Sequence, residues 1–121
     1  MKLLLAVTWS LITICYATMA DAMPTVRDHL QNISKPDYQA SMNIWLDGAI
    51  GAFMSGNADL TITRRAPALF CLPKGQGINS ADAMKLVNQG VESRRWKDWT
   101  PLSSVLLDEL QRAYPCNQSK R

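Results

Sequence analysis

The run Thr100-Pro101-Leu102-Ser103-Ser104-Val105-Leu106-Leu107-Asp108-Glu109-Leu110-Gln111-Arg112-Ala113-Tyr114-Pro115-Cys116 holds the logic of the fold in one stretch. Leu102, Val105, Leu106, Leu110, Ala113 and Tyr114 recur at the three- and four-residue spacing that places them on one face of a helix. Thr100 is a capping residue, and Pro101 suits a first turn, where its missing N–H would have had no partner anyway. Pro115 stops the helix because its ring cannot continue one, and Cys116 follows at once. A helix with a single apolar face needs other elements to cover that face.

Two upstream segments can supply the cover. Asn79 or Ser80 caps a helix that runs to about Gly90 or Ser93, with Asp82 favourable in its first turn and Met84, Val87 and Val91 turned inward. Earlier, Pro36 opens a longer helix whose apolar residues Tyr38, Met42, Trp45, Leu46, Ala49, Ala52 and Phe53 form a continuous stripe, ended at Ser55-Gly56-Asn57. Gly48 and Gly51 lie inside it, each at a cost of up to about 1 kcal/mol against alanine, and the expected reason is close approach of a neighbouring element. Residues 23–35 are polar and mixed, with room for a short helix from Val26 to Ile33. Residues 57–79 read as irregular, with Leu60-Thr61-Ile62-Thr63 a short strand at most and Lys74-Gly75-Gln76-Gly77 a turn. The expectation is an all-α fold, a small bundle of three to five helices.

The N-terminus reads as a leader. Lys2, an apolar run from Leu3 to Ile14, and the small-x-small site Ala20-Asp21-Ala22 match a secretory signal peptide over residues 1–22. The run is interrupted by Thr8, Ser10 and Thr13 and falls short of the roughly 20 apolar residues a membrane span needs. The expected mature chain, residues 23–121, is a single domain with no membrane association of its own. Cutting there removes Cys15 and leaves Cys71 and Cys116, an even pair in an exported chain, which points to a disulfide. The chain-entropy model gives about 4 kcal/mol for a loop of that length.

Composition narrows the function. The 121 residues are 47% apolar and 19% charged, with a formal net charge of +3. That is globular composition, too mildly basic to suggest nucleic-acid binding. His29 is the one histidine, and Glu92 and Glu109 are the glutamates. No serine sits in a Gly-x-Ser-x-Gly setting, and no Cys-x-x-Cys or glycine-rich phosphate loop is present. Asp108 and Glu109 are neighbours on a helix and point about 100° apart, so they cannot converge on one substrate atom. The expectation is a protein that is not an enzyme and takes no metal or other cofactor. The one unusual surface segment is Ser93-Arg94-Arg95-Trp96-Lys97-Asp98-Trp99 between the last two helices. Trp and Arg are the residues most enriched in interface hot spots, so Arg94, Arg95, Trp96 and Trp99 are the candidate partner-binding residues.

Phe70-Cys71-Leu72-Pro73, then a helix, a loop and a last helix ending Ala113-Tyr114-Pro115-Cys116, resembles the Rap/Tai family of type VI secretion immunity proteins. Met42, Trp45 and Gly48 fall where that family often shows Cys, an aromatic residue and Gly. The resemblance is strongest over residues 38–116. It implies a small helical periplasmic protein, commonly a homodimer, that binds a toxin delivered by a neighbouring cell. The best-known such toxins are peptidoglycan amidases, inhibited by occlusion of their active-site cleft. Two other classes stay open from the residues alone: a small periplasmic stress chaperone or other helical binding protein, and a small hydrolase.

Overall fold

The structure is a computed structural model and describes residues 23–116; the leader expected over residues 1–22 lies outside them. Four helices follow one another: α1 (Val26–Asn32), α2 (Pro36–Ala58), α3 (Ser80–Ser93) and α4 (Leu102–Ala113). The described residues hold no strand, only an isolated bridge between Thr25 and Pro101. The all-α expectation therefore holds.

Local chemistry explains each start. Thr25 caps α1 in a reciprocal box with Asp28, whose carboxylate accepts from the Thr25 backbone N–H at 2.9 Å and from its hydroxyl at 2.7 Å. These two bonds hold the Asp28 carboxyl below the usual carboxylate range. Pro36 occupies the first turn of α2. Asn79 caps α3, its side-chain oxygen accepting from the Asp82 backbone N–H at 2.8 Å. The last helix differs in detail from its reading. It begins at Leu102 with Pro101 in the cap position, and no side chain caps it. Instead the Leu102 N–H donates to the Pro24 carbonyl at 2.9 Å, while the Val26 and Arg27 N–H groups at the start of α1 donate to the carbonyls of Thr100 and Asp98, both at 3.0 Å. Each helix start thus draws on the chain that leads into the other, satisfying N–H groups that no intrahelical carbonyl can reach.

The core is built on α4. Leu102, Val105, Leu106 and Leu110 are all 0% exposed, and they pack with Val87 and Ala83 from α3, Leu46 and Met42 from α2, Val26 from α1 and Phe70 from the connecting segment. Ala113, assigned to the same stripe, is exposed at the helix end, and Tyr114 is half-buried.

Three expectations need correction. α2 does not stop at Ser55-Gly56-Asn57 but runs to Ala58 and passes directly into a π-helical turn, Asp59–Thr63, in place of any strand. Asn57 stays helical because its side chain works sideways: Nδ2 donates to the Phe70 carbonyl at 2.8 Å and Oδ1 accepts from the Leu69 N–H at 2.7 Å. Gly48 and Gly51 meet no close neighbour, with nothing within 4 Å of a Cβ at either position. The close approach occurs at Gly90, where a Cβ would sit 2.7 Å from Glu109 Cγ and 2.8 Å from Val105 Cγ1. Gly90 is what lets α3 lie against α4.

At the far end of α4 the expected disulfide joins Cys71 to Cys116 with a Cα–Cα distance of 4.9 Å. The Cys71 N–H also donates to the Tyr114 carbonyl at 2.8 Å. The tail beyond Cys116 lies outside the described residues.

Candidate interaction surface

The segment Arg94–Thr100 is held from both sides. The carbonyls of Asp98 and Thr100 are tied to α1 as described above, and the Thr100 N–H donates to the Lys97 carbonyl at 2.9 Å. At its other end the Gly90 carbonyl accepts two bonds, from the Arg94 N–H at 3.1 Å and from the Trp96 indole N–H at 3.1 Å. The loop is therefore a fixed surface carried by three helices.

The four candidate residues divide into two inward and two outward side chains. Trp96 is half-buried against the core, its N–H spent on Gly90. Arg94 also turns inward: its Nε lies 3.2 Å from Glu109 Oε1 and 3.7 Å from Asp108 Oδ2. Those are ion-pair separations, but the N–H points squarely at neither oxygen, so Arg94 Nε and Glu109 Oε1 lack an aligned hydrogen bond. The contact is thus a charge attraction in a low-dielectric setting rather than a directed bond. Asp108 is shared with Arg112 on the outer side, at 2.7 Å. Arg95 is exposed and makes no ion pair among the described residues. Trp99 is 72% exposed, and the Lys97 ammonium lies 5.6 Å from its ring centroid, within cation–π range. Arg27 pairs with Asp98 at 3.1 Å beside it. Both partners are largely solvated, so this pair is worth no more than about 1 kcal/mol.

Two polar residues that the sequence reading did not assign to the core are interior. Glu109 is 1% exposed and anchors Arg94. It falls seven residues after Leu102, on the stripe, which is the signal that a carboxylate had been written into the buried face. His29, in the stretch read as polar and mixed with room for a short helix, is also 1% exposed. Its Nε2 is 2.7 Å from Asn88 Oδ1 on α3 and its Nδ1 is 3.1 Å from the Tyr38 hydroxyl on α2. Since the amide oxygen can only accept, the proton is assigned to Nε2, and Nδ1 accepts from the phenol. Burial, and to a lesser extent the charge of Asp28, pushes the Tyr38 hydroxyl up to about 12, so the phenol stays a donor. His29 is thus a pin joining α1, α2 and α3, with both ring nitrogens occupied by neutral partners.

Among the described residues, no group of three or more His, Cys, Asp or Glu side chains is placed to hold a metal ion. No described helix is long and apolar enough to cross a membrane. What the Arg94–Thr100 region offers chemically is a large exposed indole, two cations, Arg95 and Lys97, that make no ion pair among the described residues, and a backbone hydrogen-bonded at both ends. Comparison with family models, with curated proteins and with solved structures finds no match to this chain.

Proposed function

We propose that the chain is a periplasmic immunity protein that binds and occludes the active-site cleft of a type VI secretion effector, a peptidoglycan amidase, and does no chemistry of its own. The observation that carries this reading is Trp99, held 72% exposed on a loop whose backbone is fixed at both ends. A tryptophan exposed to that degree contributes little to its own fold, yet on a partner it buries one of the largest apolar areas any side chain offers. Because the loop is already ordered, docking does not have to supply the ordering cost that weakens flexible epitopes. Lys97 lies over the indole, and neither it nor Arg95 makes an ion pair among the described residues, so the loop carries positive charge that favours an acidic rim on the partner. Arg94 and Trp96 serve as the frame rather than the contact. The cysteine pairing joins the two motifs that carry the family resemblance. The homodimer implied by that resemblance has the outward face of α2 open to it, where Ile44 is 76% exposed.

The test is protection in cells. The full chain with its leader, co-expressed with the periplasm-targeted effector amidase of the same genome, is expected to prevent lysis. Trp99→Ala at equal abundance is expected to protect at least tenfold less, a loss on the scale of a hot-spot truncation. Lysis unaffected by the wild-type chain, with every effector amidase of that genome tried, would overturn the reading.

A further inference from the structure

The two sulfurs of the Cys71–Cys116 bridge sit in unequal surroundings. Cys71 is exposed, in the part of the α2–α3 connection that follows the π-helical turn and forms neither helix nor strand. Cys116 is half-buried beyond the end of α4, and its Sγ lies 3.7 Å from the Ala68 carbonyl oxygen. A bridged sulfur has no proton to donate. A reduced one has, and that carbonyl is in place to accept it. Such a bond favours the thiol over the thiolate, which is the reactive form.

Three holds beside the bridge do not depend on the S–S bond. The Asn57 side chain clamps the returning chain at Leu69 and Phe70. Phe70 is 2% exposed in the core. The Cys71 N–H donates to the Tyr114 carbonyl at 2.8 Å. Together they keep residues 69–71 beside the end of α4. Once opened, the two thiols therefore remain neighbours, and closing the bridge again is an intramolecular step at high effective concentration.

We propose that the bridge is a directional thiol-exchange site, in which Cys71 is the sulfur that a small-molecule thiol attacks and that carries the mixed disulfide, and Cys116 is the resolving thiol. Exchange rates follow access and thiolate character. In the closing direction both favour Cys71 as the thiol that first engages an oxidant disulfide. Opening passes through the same mixed disulfide in reverse. With glutathione, a thiolate attacks Cys71 Sγ and the S–S bond breaks. Its electron pair goes to Cys116 Sγ, which takes up a proton. A second glutathione thiolate then attacks the glutathione sulfur on Cys71, releasing oxidised glutathione and a Cys71 thiolate that takes up the other proton. The bridge is reduced by two electrons, and two glutathione molecules are oxidised to one disulfide. Opening frees the α2–α3 connection from the end of α4, so the site is a reversible latch on that connection. The assignment is independent of the functional reading above.

The experiment incubates the folded, bridged protein with reduced glutathione, quenches with acid at intervals, and alkylates the remaining thiols with N-ethylmaleimide in denaturant. Mass spectrometry then maps both labels. Molecules with glutathione on Cys71 and maleimide on Cys116 are expected to exceed the reverse arrangement by about tenfold, a ratio set by access and thiolate fraction. A second measurement does not need the intermediate to accumulate. With oxidised glutathione in native buffer, the free Cys71 of Cys116→Ser is expected to react about tenfold faster than the free Cys116 of Cys71→Ser, and in denaturant the two rates should converge to within about twofold. Equal labelling in the mapping, or a larger share of glutathione on Cys116, overturns the proposal. So does a Cys116→Ser rate no faster than that of Cys71→Ser. A difference that persists in denaturant also overturns it, because the fold is then not its source.

Discussion

Two regions of this molecule are built from different materials. Around the Arg94–Thr100 loop, α1, α3 and α4 are joined by reciprocal backbone bonds at two helix starts, by the His29 pin and by the ion pair of the half-buried Arg94 with the buried Glu109. In the connection between α2 and α3 the chain from Asp59 to Asn79 contributes one fully buried side chain, Phe70. The hold there is local and covalent: the Asn57 clamp and the Cys71–Cys116 bridge. The contrast follows from how much apolar surface each region has to bury. Where three helices converge, packing excludes water and polar groups must find partners inside. Where the chain is irregular there is too little apolar surface to offset its conformational entropy, and a cross-link that narrows the unfolded ensemble does that work.

Removing the bridge should break the contrast most sharply. Cys71→Ser with Cys116→Ser is expected to cost about 4 kcal/mol, a fall in thermal midpoint on the order of 15–30 °C for a domain of this size. Hydrogen exchange should show residues 66–76 losing protection first, with the Arg94–Thr100 loop unchanged in native buffer. A fall below about 5 °C would mean that the Asn57 clamp and Phe70 suffice.

The other region is probed by Gly90→Ala. A methyl group there collides with Glu109 Cγ and Val105 Cγ1, and overpacking of this kind costs about 2 kcal/mol. The damage should appear as faster exchange at Arg94 to Thr100, the loop that the Gly90 carbonyl anchors, and not around Cys71. Wild-type stability in this variant would show that α3 and α4 can separate without penalty.

The smallest effect tests the His29 pin through its titratable partner. The Tyr38 phenol has a folded-state value raised to about 12 from 10.0, so the native state favours its protonated form. That contribution is complete below pH 10 and is lost as pH rises from 10 through 12. The difference in urea midpoint between wild type and Tyr38→Phe should therefore narrow over that interval. A difference that stays constant through pH 12 would place the phenol outside the stabilising network.

Much of this contrast was legible in the residues, and the parts that were not share a cause. The stripes of α3 and α4 read directly, as did the pairing of Cys71 with Cys116; α2 is only weakly amphipathic, and there Ala52, assigned to the stripe, is exposed while Ile50, left out of it, is buried. The continuation of α2 past Gly56 did not read directly either, because Asn57 looks like a stop signal unless its partners Leu69 and Phe70 are known to return beside it. Gly48 and Gly51 invited a packing explanation that belonged to Gly90; only the α3–α4 contact distinguishes them. His29 and Glu109 could not be placed in the core from the residues, because the partners that satisfy them inside, Asn88, Tyr38 and Arg94, are set by the packing of the helices. Of the two loop tryptophans, nothing local told Trp96 from Trp99: the loop has no period, and burial there depends on which indole reaches the Gly90 carbonyl.

The central claim is that this chain acts by binding with pre-ordered exposed anchors and not by catalysis. Its most direct test is calorimetric titration of the mature, disulfide-intact protein into purified effector amidase, with hydrolysis followed in parallel. The account predicts saturable binding in the nanomolar range typical of hot-spot interfaces, with hydrolysis falling to zero as the sites fill. Undiminished hydrolysis and no heat of binding in the presence of excess folded protein would contradict it.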